Sequence, residues 1–343
     1  MKITRPAYYD SFRCLAGDCP DSCCQEWEVE VDDGSAERYL ALTGELGARL
    51  REHLQQDENG GWFLQITDGR CPMWREDGLC RIQAALGEEG LCQVCHDFPR
   101  LRHDYGSFVE LGLELSCPEA ARLILTIPEQ PELTDTTAET GEPDYDEEAM
   151  EILLRTRQEA LKLLDDGAVP EVLALLLLYG YRVQEELDVG VMAKCEPEKE
   201  LAFARKLAQK GSVEELCTLF ESLEILTDRW AAMLRNPQPN NHWPEELRAM
   251  ARYGIRRHWL QAVSDYDLAC RVKMIVTSCI LVQALGGDTV STTQLWSKEI
   301  ENSAENLEAL LDAAYQSPLI TDAKLLGLLT TATPAPVDGA EVR

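Results

Sequence analysis

Nine of the thirteen cysteines in this 343-residue chain lie before residue 118. Four are packed into Cys14-Leu-Ala-Gly-Asp-Cys19-Pro-Asp-Ser-Cys23-Cys24, four more follow at Cys71, Cys80, Cys92 and Cys95, and Cys117 ends the set. Thiols at this density are either oxidised to disulfides or bound, as soft ligands, to zinc, Cu(I) or iron–sulfur clusters. Disulfides need an oxidising compartment. The start, Met1-Lys-Ile-Thr-Arg-Pro-Ala-Tyr-Tyr-Asp10, has no apolar h-region and no small-residue cleavage site. The longest apolar run, 172–179, falls far short of a membrane span. The cysteine count is odd as well. The expectation is therefore a cytoplasmic chain whose N-terminal thiols bind metal or an iron–sulfur cluster, with a disulfide scaffold as the alternative. Cys195, Cys217, Cys270 and Cys279 are scattered and read as small buried hydrophobes.

The spacings C-x4-C-x3-C-C, C-x8-C and C-x11-C-x2-C, with a distant Cys117, are not those of a zinc ribbon, which shows two clean C-x2-C pairs. Adjacent side chains diverge, so Cys23 and Cys24 either serve two sites or split into one ligand and one packing residue. Cys92-Gln-Val-Cys95-His96 reads as a knuckle. The same string fits c-type haem attachment, but that chemistry is extracytoplasmic. His96 beside Asp97, and His103 beside Asp104, could ligate, donate a hydrogen bond or move a proton; the alternative is an exposed loop histidine.

The elements that must position these groups fall into a mainly α fold. An irregular cysteine-rich α+β lobe (1–127) is followed by an acidic linker (128–148), an all-α domain (149–330) and a disordered tail (331–343). In the lobe, Trp27-Glu-Val-Glu-Val31 alternates as a half-buried strand does, Ser35 to Leu54 reads as a helix capped by Ser35, and 60–69 is a short strand bounded by glycines. Residues 119–127 start a helix after Cys117-Pro118. The 128–148 stretch holds three prolines and nine acidic residues with no basic one, too polar to order itself by burial. Beyond it, apolar residues at i, i+3, i+4 spacing predict helices over 150–164, 170–187, 197–208, 213–234, 243–263, 266–285 and 292–315. Along 243–263, Arg252 and Arg256, and Tyr253 and Arg257, share helix faces. With His258 and Trp259 they form a polar-aromatic set that could bind the carboxylate or adenine of a ligand; the alternative is an amphipathic helix with a snorkelling basic face.

Taken together, the blocks Cys14-x4-Cys19-x3-Cys23-Cys24-Gln-x-Trp27, Cys71-Pro72-x5-Gly78-Leu79-Cys80-Arg-Ile82-Gln83, Cys95-x2-Phe98-Pro99-Arg100 and Leu115-Ser116-Cys117-Pro118-Glu119-Ala120-Ala121-Arg122 resemble the flagellin lysine N-methylase family. That family is similar in turn to wider cysteine-cluster proteins described as zinc- or iron-chelating. The resemblance continues at Arg252-Tyr253-Gly254 with His258-Trp259-Leu260, and at Trp296-Ser297-Lys298-Glu299. It implies a cytoplasmic enzyme, in some members peripherally membrane-associated, that transfers methyl groups from S-adenosylmethionine to lysines of flagellin and carries an oxygen-sensitive [4Fe–4S] cluster. Carried over, the metal ligands come from Cys14, Cys19, Cys23, Cys24, Cys71, Cys80, Cys95 and Cys117. Eight candidates exceed the four that one cluster needs, which leaves room for a second metal such as zinc or for supporting cysteines. Cys92 matches no position of the family pattern. For the methyl donor, the candidates are Arg252, Tyr253 and His258. The radical S-adenosylmethionine spacing C-x3-C-x2-C is absent, as is the glycine-rich loop of Rossmann methyltransferases, so the methyl-donor site and the catalytic base are unassigned.

The formal net charge of −29 argues against a nucleic-acid partner, which needs a concentrated Lys/Arg surface, and suits a partner presenting lysines. Flagellin is the expected substrate, and an oligomer is open. Two rival readings stand beside the enzyme: a non-enzymatic zinc-binding interaction module, and an iron–sulfur redox sensor.

Overall fold

In the computed structural model, the described residues are 1–24, 29–138, 141–239 and 241–330. Trp27, the first residue of the expected strand, and the expected tail 331–343 lie outside them.

Two small sheets organise the N-terminal part. β1 (Lys2–Arg5) belongs to the second and is taken up below. β2 (Val29–Val31), β3 (Leu54–Gln56) and β4 (Trp62–Leu64) form an antiparallel sheet in the order β2-β4-β3. Val29 and Val31 are buried and Glu30 is exposed, the period-two outcome expected of that alternation. The helix expected over 35–54 is two helices, α1 (Asp33–Ala41) and α2 (Gly44–His53). Asp32 rather than Ser35 caps the first, its carboxylate accepting from the Ser35 N–H at 2.8 Å. Extended backbone at Leu42 and positive φ at Gly44 make the break. With the short helices α3 (Arg81–Leu86) and α4 (Gln93–Asp97), these elements enclose a small core of their own that includes Tyr39, Leu50, Leu64, Met73, Ile82, Cys71 and Cys92.

The second sheet runs β5 (Arg100–Asp104), β6 (Phe108–Leu113), β1, β7 (Leu133–Thr136); β1 pairs parallel with β6, and the other pairs are antiparallel. β7 falls within the acidic stretch 128–148, where Glu129 and Glu132 also bind the Arg256 guanidinium. α5 (Pro118–Thr126) starts with proline in its first turn and buries Ala120, Ala121, Leu123 and Ile124 in the main core.

That core is built by α6 (Glu147–Leu163), α7 (Val169–Val189), α8 (Pro197–Leu207), α9 (Val213–Glu221), α10 (Asp228–Arg235), α11 (Glu246–His258), α12 (Ala269–Leu285), α13 (Thr289–Ile300), α14 (Ala304–Gln316) and α15 (Asp322–Thr330). α12 is buried on every side and forms its axis. Two of the expected helices divide. The 213–234 stretch restarts at α10, where Thr227 Oγ1 accepts from the Trp230 N–H. The 292–315 stretch restarts at α14, where Ser303 Oγ accepts from the Asn306 N–H. Among the described residues no helix is long and apolar enough to cross a membrane.

Candidate metal centre and donor cleft

Loop geometry brings the separated cysteine blocks together. A 3-10 turn over Ala16–Asp18 folds the first block back on itself. Gly17 then meets the 71–80 loop backbone to backbone: a Cβ on Gly17 would come within 2.9 Å of the Asp77 carbonyl, and one on Gly78 within 3.1 Å of the Gly17 Cα. Gly78 also has φ +78°, a conformation that favours glycine. The Cys71 N–H donates to the Cys24 carbonyl at 2.8 Å. The 71–80 loop closes through a bridge between Trp74 and Cys80 and a bond from the Arg81 N–H to the Met73 carbonyl at 2.8 Å. Cys80, Cys92 and Cys117 stand at the N-cap positions of α3, α4 and α5, where backbone N–H groups are unpaired within the helix and favour a negatively charged sulfur.

All thirteen thiols are free. The nine N-terminal ones form one connected array. Cys14 lies within electrostatic reach of Cys19, Cys23 and Cys117, Cys24 within reach of Cys19, Cys23, Cys71, Cys80 and Cys95, and Cys92 within reach of Cys80 and Cys95. Cys24 is central to it: hydrogen bonds from the Cys23 and Cys71 thiols to its sulfur hold its pKa far below the usual thiol range, against the effect of burial. The same bonds, and then burial, push Cys23 and Cys71 up. Cys92 and Cys95 repeat the pattern, Cys95 pushed up by its bond to Cys92, and Cys92 drawn down. Burial raises Cys19 and Cys80, and lifts Cys117 to about 11.

The donor set fits a thiolate-liganded metal in kind and in number. In the described residues the sulfurs pair with one another, and no three His, Cys, Asp or Glu side chains close on a point that could hold an ion. The eight cysteines expected as ligands are all in this array. Cys92, which the family pattern left out, is buried within it; its x2 spacing to Cys95 was the signal available. Cys195, Cys217 and Cys279 sit in or against the helical core, and Cys270 is buried on α12. His96 turns to Asp97, Nδ1 to Oδ1 at 3.0 Å. His103 Nε2 is buried without a hydrogen-bond partner and lines a cavity of about 40 Å³ between the second sheet and α11.

A buried knot helps tie the cysteine-rich lobe to the helices. Asp21, between Cys19 and Cys23, accepts from Lys298 Nζ at 3.1 Å and from Gln294 Nε2 at 2.7 Å. The same Gln294 amide donates to the Ser116 carbonyl at 2.7 Å, next to Cys117.

The three candidate donor residues lie on α11 and face different surroundings. Arg252 and Tyr253 line a cleft of about 340 Å³ shared with Pro6, Tyr8, Ile124 and Arg256, a volume in the range of small-molecule sites. Arg252 is already engaged by Asp165 at 2.9 Å and by the Leu164 carbonyl at 3.3 Å. Tyr253 donates to Glu301 Oε2 at 3.0 Å and also meets Arg257. His258 lies outside the cleft, fully buried, with Nε2 3.0 Å from Glu301 Oε1.

Over 143 residues, 40% of this chain, the sequence is 34% identical to proteins named lysine-N-methylase in Salmonella typhimurium (strain LT2) and Salmonella choleraesuis. That match spans 36% of the length of those relatives. Over 135 residues it is 34% identical to the flagellar biosynthetic protein FliU of Salmonella muenchen, 80% of which it covers. No family model and no solved structure matches the chain.

Proposed function

The chain belongs to the flagellin lysine N-methylase family, and from that premise we propose that it is a cytoplasmic protein-lysine N-methyltransferase. It takes its methyl group from S-adenosylmethionine, acts on flagellin, and holds a [4Fe–4S] cluster with its N-terminal cysteines. Family membership carries this reading; the gathering of nine thiols from four separate segments of sequence into one array supports its metal part. When bound, the cluster supplies an oxygen-sensitive, redox-active centre. Cys14, Cys19, Cys23, Cys24, Cys71, Cys80, Cys95 and Cys117 are the side chains available to hold it.

Transfer requires a neutral lysine amine. Its nitrogen forms a bond to the methyl carbon as the carbon–sulfonium bond breaks, the donor leaves as the neutral thioether, and the amine proton passes to a base. In this chain the cleft beside α11 suits the donor. Tyr8 and Ile124 would face its apolar body, and Arg252 and Arg256, now paired with Asp165 and with Glu129 and Glu132, would have to exchange those partners for its carboxylate. The acidic surface suits a lysine-bearing partner.

The test is anaerobic incubation of the full chain with S-adenosylmethionine and flagellin. Mass increments of about 14 Da per transfer are expected on lysines, with the charge retained. Cys19→Ser is expected to abolish both colour and transfer, and Cys217→Ser to change neither. Absence of any methylated lysine would overturn the activity; colour loss with full transfer would remove the cluster from the reaction.

A further inference from the structure

We propose that His103 is the proton acceptor of the transfer reaction, drawing the proton that the substrate amine sheds in the cleft beside α11 through the small cavity behind Tyr8. The inference rests on the methylase reading above and supplies the base that reading leaves open. Its first ground is placement. His103 shares the half-buried side of β5 with Leu101 and stands opposite Glu110 of β6. It lines the cavity of about 40 Å³ between the second sheet and α11. His103 Nε2 and Arg157 Nε are both buried at this cavity with no hydrogen-bond partner among the described residues. A buried polar atom left unpaired costs stability and calls for an explanation. The charged groups around it are served: Glu110 accepts from both terminal nitrogens of Arg157, at 2.6 and 2.7 Å, and Glu114 lies 3.4 Å from Arg257. The ring nitrogen is left over, facing a space with room for about two waters.

The second ground is connection. Pro6, Tyr8, Tyr253 and Arg256 line both this cavity and the 340 Å³ cleft, so a single wall of side chains parts His103 from the proposed donor site. Tyr8 stands in that wall as a neutral phenol, pushed up to about 12 by burial. A neutral hydroxyl relays a proton by accepting one and giving one up. The step balances: an N–H bond of the lysine amine breaks, its proton joins the oxygen at the wall, that oxygen passes a proton inward, and the Nε2–H bond forms. The imidazolium then returns the proton to solvent, and nothing is oxidised or reduced. The third ground is what faces the ring. Arg256, Arg257 and His258 of α11, Arg157 of α6 and Arg5 of β1 stand around it, with Glu110 of β6 and Glu132 against them. Burial and then the Arg257 charge lower the pKa of the ring. It is therefore neutral and able to accept at pH 7, and the same positive charges keep its imidazolium short-lived.

The experiment uses the full chain purified without oxygen. Methyl transfer from S-adenosylmethionine to flagellin is followed from about pH 5 to 9 for the unaltered chain, His103→Gln and His103→Ala. In His103→Gln, kcat near neutral pH is expected to fall about 10²–10⁴-fold, with KM for both substrates nearly unchanged. The unaltered chain should lose kcat as the pH falls below about 6.5, where the ring takes up its proton, and His103→Gln should lack that limb. Added imidazole should restore most of the rate lost in His103→Ala, because a free ring can occupy the space the side chain leaves. The urea midpoint of His103→Gln should match that of the unaltered chain, since no Nε2 hydrogen bond is lost. Full transfer by His103→Gln overturns the assignment and leaves the methylase reading standing. So does a rate loss that follows a lowered urea midpoint, with no imidazole rescue of His103→Ala. No transfer by the unaltered chain overturns the methylase reading and the assignment with it.

Discussion

Glu301 has no exposed side-chain surface and sits among charges. Arg257 is 3.6 Å from its carboxylate, His258 and the Tyr253 hydroxyl are each 3.0 Å away, and Ser297 Oγ is at 2.6 Å. Burial alone would raise this carboxyl; the Arg257 charge and the bonds from His258 and Ser297 outweigh it and hold it at about 2. The unfolded chain takes up the corresponding proton near the usual value of about 4.3. Stability from Glu301 is therefore fully present above about pH 5 and is lost as the pH falls through 4.3 toward 2. His258 adds a loss of the same sign. Burial lowers it, so the unfolded chain is protonated first as pH drops below about 6.5. Glu114, raised by burial beside the same Arg257, works against both above its unfolded value. Glu301→Gln is expected to destabilise the fold by about 3–5 kcal/mol, the cost of leaving buried charge uncompensated, and to flatten the acid limb of urea unfolding between about pH 5 and 2. An unchanged acid limb would show that Glu301 does not carry the acid sensitivity.

At the scale of elements, the backbone approach of Gly17 to the 71–80 loop holds the first cysteine block against that loop. Gly17→Val or Gly78→Val would drive a side chain into backbone atoms that have no flexible end to yield. Both variants are expected to lose the proposed metal while far-UV circular dichroism, dominated by the helices beyond residue 147, stays close to native. Gly60→Ala, at positive φ but with open space around it, should retain the proposed metal; loss there as well would make the effect one of general turn strain. This close approach was not legible in the sequence, because a glycine records permission and not the partner it admits. The helices were legible wherever apolar periodicity was long, as in α6 and α7. Thr227 and Ser303 are ordinary cap residues, but nothing in the pattern distinguished them from other threonines and serines inside a helix, so 213–234 and 292–315 read as unbroken. The cysteine blocks were legible by type and order, and Cys92 was passed over because it matched no family position, although its helix-start setting is like that of Cys80. The donor candidates show the opposite limit: Arg252, Tyr253 and His258 lie on one helix, but burial turns His258 to Glu301 and away from the cleft.

The whole molecule carries 61 acidic against 32 basic residues. A field of one sign draws in a lysine-bearing partner and is screened by salt over about 8–10 Å at physiological ionic strength. For the proposed reaction, KM for flagellin is expected to rise several-fold between low salt and about 0.5 M, with kcat nearly constant, since screening weakens encounter and not the chemistry. A fall in kcat alone would place the salt effect inside the active site.

The main apolar core does not respect the composition boundary at 128–148. Leu113, Leu115 and the buried face of α5 precede that stretch and yet belong with the helices, where the Asp21–Lys298–Gln294 knot also ends. Splitting the gene at residue 128 would thus strip the helical half of one of its own walls. The piece that could be grafted, inserted or exchanged as a unit is the smaller lobe from β2 through α4, with its private core and four of the sulfurs. A graft of that lobe would keep its core but break the Cys71–Cys24 backbone bond and the Gly17 contact that hold the first cysteine block against it.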